Sequence, residues 1–299
     1  MGLRDPIRSP GSATLSEARE SMRIGFVQYI NTAPIMIPWR ESGPLSGWES
    51  VEATPSELNR LLHVGEIDTG MISSFEYGLH PDSYHLLPEL CISSTGAVKS
   101  VILLSRIPAG ELGGKIVSLT PQSATSVALL RILLEDFFNV RPLYQAGSSE
   151  DLAVGTSDAY LAIGDEALRL ARNKREFLVT DLAEIWLQKT GLPFVFAVWA
   201  VRNEVLEKAP YAVDALRERL ISCVRTGQRE IVRIASIVAP QVYLTPASCL
   251  SYLEGIEYDF SSQKRRGLLE FFRRLSDRGE IPPAMDLRLI PRSFYEVTE

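Results

Sequence analysis

The sequence is poor in cysteine, in long apolar runs and in basic charge. Its three cysteines, Cys91, Cys223 and Cys249, have no close spacing, so neither a disulfide framework nor a CxxC zinc site is expected. The longest apolar run, at 194–201, is far below the roughly 18 residues that a membrane-spanning helix needs. The 31 basic residues are outnumbered by 37 acidic ones, and the net charge of −6 argues against a surface that binds nucleic acid. We therefore expect neither a membrane nor a nucleic acid as a partner.

The familiar catalytic motifs are also missing. The chain has no P-loop, no GxGxxG, no GxSxG and no HExxH sequence. Its three histidines are His63, in a predicted helix, and His80 and His85, in a predicted loop. None of them follows a predicted strand end or a strained elbow, so nucleophilic catalysis by a Ser–His or Cys–His pair is not favoured. The histidines are assigned structural or surface roles.

What the sequence does contain is typical of a globular protein of about two domains. It has 299 residues, of which 45% are hydrophobic and 23% are charged. Residues 1–21 are charged and rich in Gly, Pro and Ser, without the apolar stretch of a secretory signal, and are interpreted as a flexible extension. This segment and the isolated cysteines predict a cytoplasmic protein.

From residue 22 onward, short apolar runs alternate with amphipathic stretches. This alternation is typical of an α/β fold in which helices connect the strands of a largely parallel sheet. Richness in Val, Ile, Leu and Phe suits strands that are covered on both faces. The predicted strands are 23–28, 69–73, 100–105, 115–119, 159–163 and 195–201.

Two helix starts are well marked. Thr54 is followed by a proline and then by Glu57, which predicts a capping box in which the Glu57 side chain bonds back to the helix start. The second start lies in the hydroxyl-rich segment 120–126. Apolar residues at helical spacing over 213–234 and 268–275 indicate that the C-terminal third is helical.

Small polar residues cluster at predicted strand ends and helix starts, where open α/β sheets bind ligands. Helix N-termini present free N–H groups and a positive dipole end, so they bind carboxylates without a basic protein surface. Each segment alone is better explained by ordinary helix capping. Together they predict a cleft for a small anionic ligand, formed by segments 28–34, 73–74, 99–100, 123–126 and 164–165.

Several longer segments resemble one known family. They are YINTAPI (29–35), PSELNRLLHVGEIDTGMISSFEY (55–77), GAVKSVILLSR (96–106), SATSVALLRILL (123–134), IGDEAL (163–168) and TGLPFVFAVW (190–199). On these segments the chain is similar to the chorismate dehydratases of the futalosine route to menaquinone, which have a two-lobe periplasmic-binding-protein-like fold of type II. The resemblance begins at about residue 23 and leaves the N-terminal extension unexplained.

The resemblance implies a fold and a reaction. Residues 22–99 and 200–299 would form one lobe and residues 100–199 the other, with the ligand in the cleft and hinge crossings near Ser100 and Trp199. The family removes water from chorismate to give 3-[(1-carboxyvinyl)oxy]benzoate, which implies that this chain is a carbon–oxygen lyase. No cofactor and no metal are expected, and the small molecule chorismate is the one partner that the resemblance names.

The resemblance also implies which residues contact the substrate. Asn31 and Ser100 would orient it and hydrogen-bond to the departing hydroxyl or to a carboxylate. The hydroxyls of Ser123, Thr125 and Ser126 are candidates for carboxylate binding at the helix start. Further residues expected to contact the substrate or to shape the cleft are Tyr29, Thr32, Ser73, Ser74, Gly96, Lys99, Asp165, Phe194 and Phe196.

The base that removes the C3 proton of the substrate stays open between two hypotheses. The first is the enolpyruvyl carboxylate of the substrate itself, desolvated in the closed cleft and close to the proton. The second is a protein carboxylate, with Asp165 and Glu76 as candidates. A neutral amide or hydroxyl, such as that of Asn31 or Ser100, is not a competent base on its own.

Two other functions stay open. A non-catalytic binding protein for small acids has the same type of fold, and fold alone does not decide between the two. A transport receptor is expected to have an export signal or a lipidation cysteine near its start. The enzyme is preferred because neither feature is seen in this sequence. The related 1,4-dihydroxy-6-naphthoate synthase typically has a Pro-Asn-Asp turn after its first strand, where this chain has Asn31-Thr32-Ala33-Pro34. That enzyme is also expected to have a histidine base in the cleft.

Overall fold

The computed structural model describes residues 21–43, 45–172, 177–283 and 286–291. These residues form two five-stranded sheets with helices packed around them. The flexible extension expected over 1–21 lies outside the described residues except for Ser21. The strands are β1 Met22–Val27, β2 Trp48–Ala53, β3 Thr69–Ser73, β4 Tyr84–Ser94, β5 Val101–Ser105, β6 Ile116–Leu119, β7 Leu143–Ala146, β8 Ala159–Ile163, β9 Leu178–Asp181 and β10 Phe194–Arg202.

Helices alternate with the strands up to β10 and make up most of the chain after it, as the sequence predicts. Among the described residues no single helix is long and apolar enough to cross a membrane. Two segments bent by 112°, Ile231–Val242 and Pro246–Leu253, have that length and composition only when taken together. The helices are α1 Ala33–Glu41, α2 Pro55–Val64, α3 Ser74–Leu79, α4 Ala124–Arg131, α5 Ser149–Val154, α6 Gly164–Leu170, α7 Leu182–Thr190, α8 Asn203–Lys208, α9 Pro210–Arg229, α10 Ile231–Val238, α11 Pro246–Leu253 and α12 Ser262–Asp277.

The two sheets share one topology. The strand order is β2-β1-β3-β10-β4 in the first sheet and β7-β6-β8-β5-β9 in the second. In each sheet, one strand follows directly after the chain crosses over from the other sheet: β10 in the first sheet and β5 in the second. This strand runs antiparallel to both of its neighbours. The expectation of a largely parallel sheet is therefore wrong for this strand. The strand that follows a crossing begins at the cleft, whereas its neighbours end there, so it runs in the opposite direction to them.

The chain crosses between the sheets twice, from β4 to β5 and from α7 to β10. Asp181 begins α7, and its carboxylate also accepts the backbone N–H groups of Val98 at 3.2 Å and Lys99 at 2.6 Å. This carboxylate therefore ties the first crossing to the start of α7, the helix that leads into the second crossing. Trp199, the predicted place of the second crossing, lies inside β10, so the chain has returned to the first sheet by Phe194. The lobe boundaries at residues 99 and 199 stay predictions.

All six predicted strands are present, with ends within one residue of those predicted. The four strands that the sequence did not reveal are β2, β4, β7 and β9, and these are the outer strands of the two sheets. An outer strand has one neighbour and needs fewer apolar side chains; β7 and β9 are largely exposed. The strand β4 is mostly buried but contains Pro88, which an outer strand tolerates because its missing N–H is not needed for pairing.

Both predicted helix starts are present, one of them with altered capping. At the start of α2 the Thr54 hydroxyl accepts the N–H of Glu57 at 3.4 Å. The Glu57 carboxylate pairs with Arg60 rather than with the helix start, so the predicted capping box is only half formed. Ser123 precedes α4 and accepts the N–H of Ser126 at 3.2 Å, as expected of a capping residue.

Candidate active site

A cavity lies between the two sheets, at the ends of strands that point from each sheet toward the other. Part of its wall is apolar and includes Ile92, Val101 and Phe196. The polar residues around it come from segments that follow β1, β3 and the first crossing, and from the start of α4. They are Tyr29, Asn31, Ser73, Ser100, Ser123 and Ser126, all of which the sequence analysis singles out.

Asn31 offers an unused hydrogen-bonding atom to this cavity. The residue lies in the short helical turn Ile30–Thr32 that follows β1. Its backbone carbonyl accepts the hydroxyl of buried Tyr258 at 2.7 Å, which holds the turn in place. Its side-chain Oδ1 is buried and has no hydrogen-bond partner among the described residues. A buried polar atom without a protein partner is costly, so a ligand that supplied the missing bond would be favoured.

Ser100 is held by a second buried tyrosine. The Tyr252 hydroxyl donates to Ser100 Oγ at 3.1 Å, and both residues are buried. Burial raises the pKa of Tyr252, so this hydroxyl keeps its proton at neutral pH and remains the donor. Because Ser100 Oγ accepts that bond, its own proton stays free to be donated into the cavity.

The start of α4 supplies a pair of hydroxyls. Ser123 Oγ and Ser126 Oγ lie 3.0 Å apart, and both residues line the cavity. The first turn of a helix carries free N–H groups and a partial positive charge. Hydroxyl protons and N–H groups at this point can bind a carboxylate without any charged side chain.

Ser73 lines the cavity and depends on a residue that the sequence does not reveal. The amide of Asn59 donates to Ser73 Oγ at 2.9 Å and accepts the Ser73 N–H at 3.0 Å. Asn59 is buried in the middle of α2, in the segment LNRLL, where nothing in the pattern distinguishes it from a surface asparagine. This two-point contact holds the end of β3 against α2.

Hydrogen bonds across the mouth hold the cleft closed. The Tyr29 hydroxyl donates to Gln122 Oε1 at 2.7 Å, and the Ile30 N–H donates to Asp165 Oδ1 at 3.2 Å. Burial and the nearby Asp165 and Glu166 raise the pKa of Tyr29 to about 12, so its hydroxyl stays a donor. Asp165 lies in an outer groove beside Tyr29 rather than in the cavity lining. In this structure Asp165 makes a contact across the cleft, and its substrate contact stays a prediction.

Thr125, one of the three hydroxyls expected to bind a carboxylate, also serves the contact between the sheets. Its Oγ1 accepts the N–H of Phe75, at the start of α3, at 2.8 Å. Successive residues of a helix point in different directions, so Thr125 faces α3 while Ser123 and Ser126 line the cavity. Thr125 is not among the residues that line the cavity, and its expected carboxylate contact stays a prediction.

Two further predicted residues use their hydroxyls within the backbone turns. Thr32 Oγ1 lies 2.7 Å from the carbonyl of Val27 and 2.8 Å from that of Tyr29. Ser74 Oγ donates to the carbonyl of Val195 at 2.7 Å. Neither residue lines the cavity. Both hydroxyls stabilise the turns that place Asn31 and Ser73, and their contact with a substrate stays a prediction.

Lys99 and Phe194 also lie outside the cavity lining. The Lys99 ammonium donates to the carbonyl and the hydroxyl of Ser251, each at 3.0 Å, and so joins the first crossing to α11. The Phe194 ring packs in the core, with its centroid 5.3 Å from that of Trp186 and 5.1 Å from that of Phe271. Residues 194 and 196 would face the same side of a regular strand, but the pairing of β10 with β4 shifts between Val195 and Ala197, and Phe196, not Phe194, lines the cavity.

The two protein carboxylates proposed as bases are not among the residues that line the cavity. Glu76 is buried, and the Tyr84 hydroxyl donates to its Oε1 at 3.3 Å. Burial raises the pKa of Glu76 and of Asp165. A raised pKa would suit a base, but neither residue lines the cavity. Among the described lining residues there is no carboxylate and no imidazole.

A family model described as menaquinone biosynthesis matches residues 22–277. The chain belongs to this menaquinone biosynthesis family. This chain is 35% identical over 268 residues to a chorismate dehydratase of Thermus thermophilus, and the match covers 84% of this chain and 94% of that protein. It is 29% identical over 200 residues to a chorismate dehydratase of Campylobacter jejuni, covering 63% of this chain and 74% of that protein. The family resemblance predicted from the sequence is confirmed.

Solved structures similar to this family member are periplasmic-type binding proteins. The alkanesulfonate-binding protein of Xanthomonas axonopodis bound to MOPS gives a TM-score of 0.66 at 16% identity, covering 92% of this chain and 97% of that chain. The periplasmic aliphatic sulphonate binding protein of Escherichia coli gives 0.64 at 16% identity, covering 90% and 91%. At this identity the likeness concerns the fold alone. It confirms the predicted α/β two-lobe periplasmic-binding-protein-like fold.

Proposed function

We propose that this protein is a dehydratase that removes water from chorismate to give 3-[(1-carboxyvinyl)oxy]benzoate in menaquinone biosynthesis. Membership of the menaquinone biosynthesis family and the similarity to two chorismate dehydratases support the proposal. The structural observation that carries it is the meeting of the unpartnered Asn31 Oδ1 and the Ser100 hydroxyl in one closed cavity. This cavity also holds the hydroxyl pair at the start of α4.

The cavity supplies neutral donors to a substrate with two carboxylates. Ser123 and Ser126 bind one carboxylate at the helix start, where the dipole favours negative charge. Loss of the C3 proton spreads negative charge through the ring toward its carboxylate. Donors that are already in place stabilise this charge as it develops, because they need no reorganisation during the reaction.

The reaction uses the enolpyruvyl carboxylate of the substrate as its base. This carboxylate takes the C3 proton, the C3–H electron pair forms the new ring double bond, and the C4–O bond breaks. The hydroxide that leaves takes up the proton removed from C3, so the carboxylate is regenerated, one water is released and the ring becomes aromatic. The lack of a carboxylate or imidazole among the described lining residues supports this route. Proximity within a dry cleft offsets the low basicity of the group.

Asn31 and Ser100 have separate roles in this scheme. The Ser100 proton, left free by the bond from Tyr252, is donated to the departing hydroxyl or to a carboxylate. The Asn31 amide orients the substrate, with Tyr258 holding the backbone of its turn. The bonds that Tyr29 and the Ile30 N–H donate across the mouth keep water out while the proton moves.

The test is to incubate the purified full chain with chorismate, without added metal or cofactor, and to follow the mixture by liquid chromatography and mass spectrometry. A product lighter by one water with a substituted benzoate spectrum is expected. Thermal stabilisation by chorismate without turnover would indicate a binding protein instead. No turnover and no stabilisation would leave the naphthoate synthase as the alternative to examine with its own substrate.

We also propose that the protein acts in the cytoplasm on this small molecule, without a nucleic acid, a membrane or a cofactor. Cys91, Cys223 and Cys249 are all free and buried, which suits a reducing compartment. Cell fractionation tests the location. Recovery of the protein mainly in the membrane or the exported fraction would overturn it.

A further inference from the structure

A cluster of metal-ligating side chains lies away from the cavity. His63 is near the end of α2, and Glu76 and His80 are one helical turn apart on and just after α3. His63 Nδ1 and His80 Nε2 each lie 3.9 Å from Glu76 Oε1. Among the described residues this is the one group of three or more His, Cys, Asp or Glu residues whose ligand atoms all lie within 4.8 Å of one another.

The Glu76 carboxylate, at the centre of this cluster, has little hydrogen bonding to compensate for its burial. The Glu76 side chain is only 11% exposed, and the hydrogen bond that it accepts from the Tyr84 hydroxyl is long, at 3.3 Å. A buried carboxylate is costly unless a cation or several donors compensate it. The two imidazoles that face it are 49% and 37% exposed, so they have room to turn and solvent can reach the space between them.

We propose that His63, Glu76 and His80 bind a divalent transition-metal ion of the Zn²⁺, Co²⁺ and Ni²⁺ class, with water in the remaining position. Two imidazole nitrogens and one carboxylate oxygen are a ligand set that these ions prefer over Mg²⁺ or Ca²⁺. Ligand atoms about 2.1 Å from one tetrahedral ion are about 3.4 Å apart. The separations of 3.9 Å therefore shrink by about half an ångström when the side chains turn toward the ion.

The surroundings of the cluster suit such a site. The Tyr84 hydroxyl already donates to Glu76 Oε1, as groups behind a metal ligand commonly do. The ion would join the last turn of α2 to α3. The Glu76 N–H donates to Ser73 Oγ, so the ion would also strengthen the end of the strand that lines the cavity. Its role is structural, because none of the three ligands lines the cavity.

Titration of the chelator-treated full chain with Zn²⁺ by calorimetry tests the proposal. One ion is expected to bind per chain, with a Kd of about 1 μM or below. His63→Gln and His80→Gln are each expected to weaken binding by about 30-fold or more, and Tyr84→Phe by about tenfold. His85→Gln is the matched control, since it removes the third histidine of the chain, which contacts Asn203 instead.

Co²⁺ gives a second readout on the same proteins. Its visible absorption bands are expected to appear in the unaltered chain and in the His85→Gln variant, and to be lost in the His63→Gln and His80→Gln variants. Zn²⁺ is also expected to raise the melting temperature of the unaltered chain and of the His85→Gln variant, but not that of the other two variants. Absence of binding, or equal binding to all of these variants, would overturn the proposal. Either result is independent of the proposed reaction, which is measured without added metal.

Discussion

Tyr252 donates its hydroxyl to Ser100 Oγ at 3.1 Å, and this bond decides which way the serine proton points. Tyr258 makes a similar contact at 2.7 Å with the backbone carbonyl of Asn31. The two tyrosines are fully buried and lie six positions apart, in and after α11, far along the chain from the residues that they hold. The C-terminal part of the chain therefore orients both residues on which the proposed reaction depends.

Tyr252→Phe is expected to lower kcat with little change in KM. The phenylalanine keeps the packing but leaves Ser100 free to donate its proton elsewhere, so a loss of about tenfold in kcat, or about 1.4 kcal/mol, is expected. Steady-state kinetics with chorismate measure the effect. Tyr77→Phe is the matched control, because Tyr77 is also buried and its hydroxyl accepts the N–H of Arg288 away from the cavity.

Both tyrosine variants are expected to lose about 1 kcal/mol of unfolding free energy with their hydrogen bond. Only Tyr252→Phe should lose turnover as well. Equal kinetics in the two variants would show that Tyr252 has a structural role alone.

Asn31→Asp is expected to abolish most turnover while keeping the fold. The change is nearly isosteric, but it brings a negative charge beside a substrate with two carboxylates, and the buried Oδ1 position has no protein donor to compensate it. We expect kcat/KM to fall by about 100-fold or more. Asn203→Asp, the same change at a residue that bonds to His85 outside the cavity, is the control. An unchanged kcat/KM would remove Asn31 from the site.

Asp165→Asn and Glu76→Gln are each expected to keep kcat within about threefold of the unaltered chain. Neither carboxylate lines the cavity, and the asparagine oxygen can still accept the Ile30 N–H. Turnover by the two chelator-treated variants measures this. A loss of several orders of magnitude in either variant would replace substrate assistance with a protein base.

The stability of Asp165→Asn relative to the unaltered chain is expected to rise with pH. Burial raises the pKa of Asp165 above its ordinary value of 3.8. Between that value and the higher folded-state pKa, the unfolded chain has lost this proton while the folded chain retains it, so the unaltered chain loses stability as pH rises. The variant has no such loss. Denaturant unfolding at about pH 4 and pH 7 compares the two, and a constant difference would contradict the shift.

Gly164→Ala is expected to damage both stability and turnover. Gly164 has φ +56°, and a Cβ there would lie 3.0 Å from the Tyr29 ring, which bonds across the cleft. The backbone strain alone costs about 1 kcal/mol. The Cβ also displaces the ring, so KM is expected to rise several-fold.

Gly191→Ala serves as the control for this change. Gly191 has φ +71° with nothing within 4 Å of the added Cβ, so its variant carries the strain without the contact. Similar stability losses are expected, with turnover impaired in Gly164→Ala alone. Normal kinetics in both variants would argue against a role for Tyr29 in closing the cleft.

The sequence by itself determined the inner strands, the helix starts and the hydroxyl-rich turns. Apolar runs, capping residues and helical spacing are local signals, because each reports how a few neighbouring residues meet their backbone partners and the core. The segments that carry the family resemblance lie on these same elements, so the fold and the region of the cleft were predictable.

Only the tertiary structure decided which hydroxyls face the cavity. Ser73 and Ser74 are neighbours, yet the first lines the cavity and the second bonds to Val195. In the same way, Thr125 faces α3 while Ser126 faces the cavity. Neighbouring side chains point in different directions, and the direction that faces the cleft depends on how the sheets pack.

The outer strands and the supporting residues were likewise decided by contacts distant in sequence. An outer strand such as β2 or β7 is defined by its pairing with a neighbour more than by an apolar run of its own. Asn59, Asp181, Tyr252 and Tyr258 look like ordinary polar or core residues in the sequence. Each gains its role from a hydrogen bond to a distant segment, and such a bond forms only once packing has brought the two segments together.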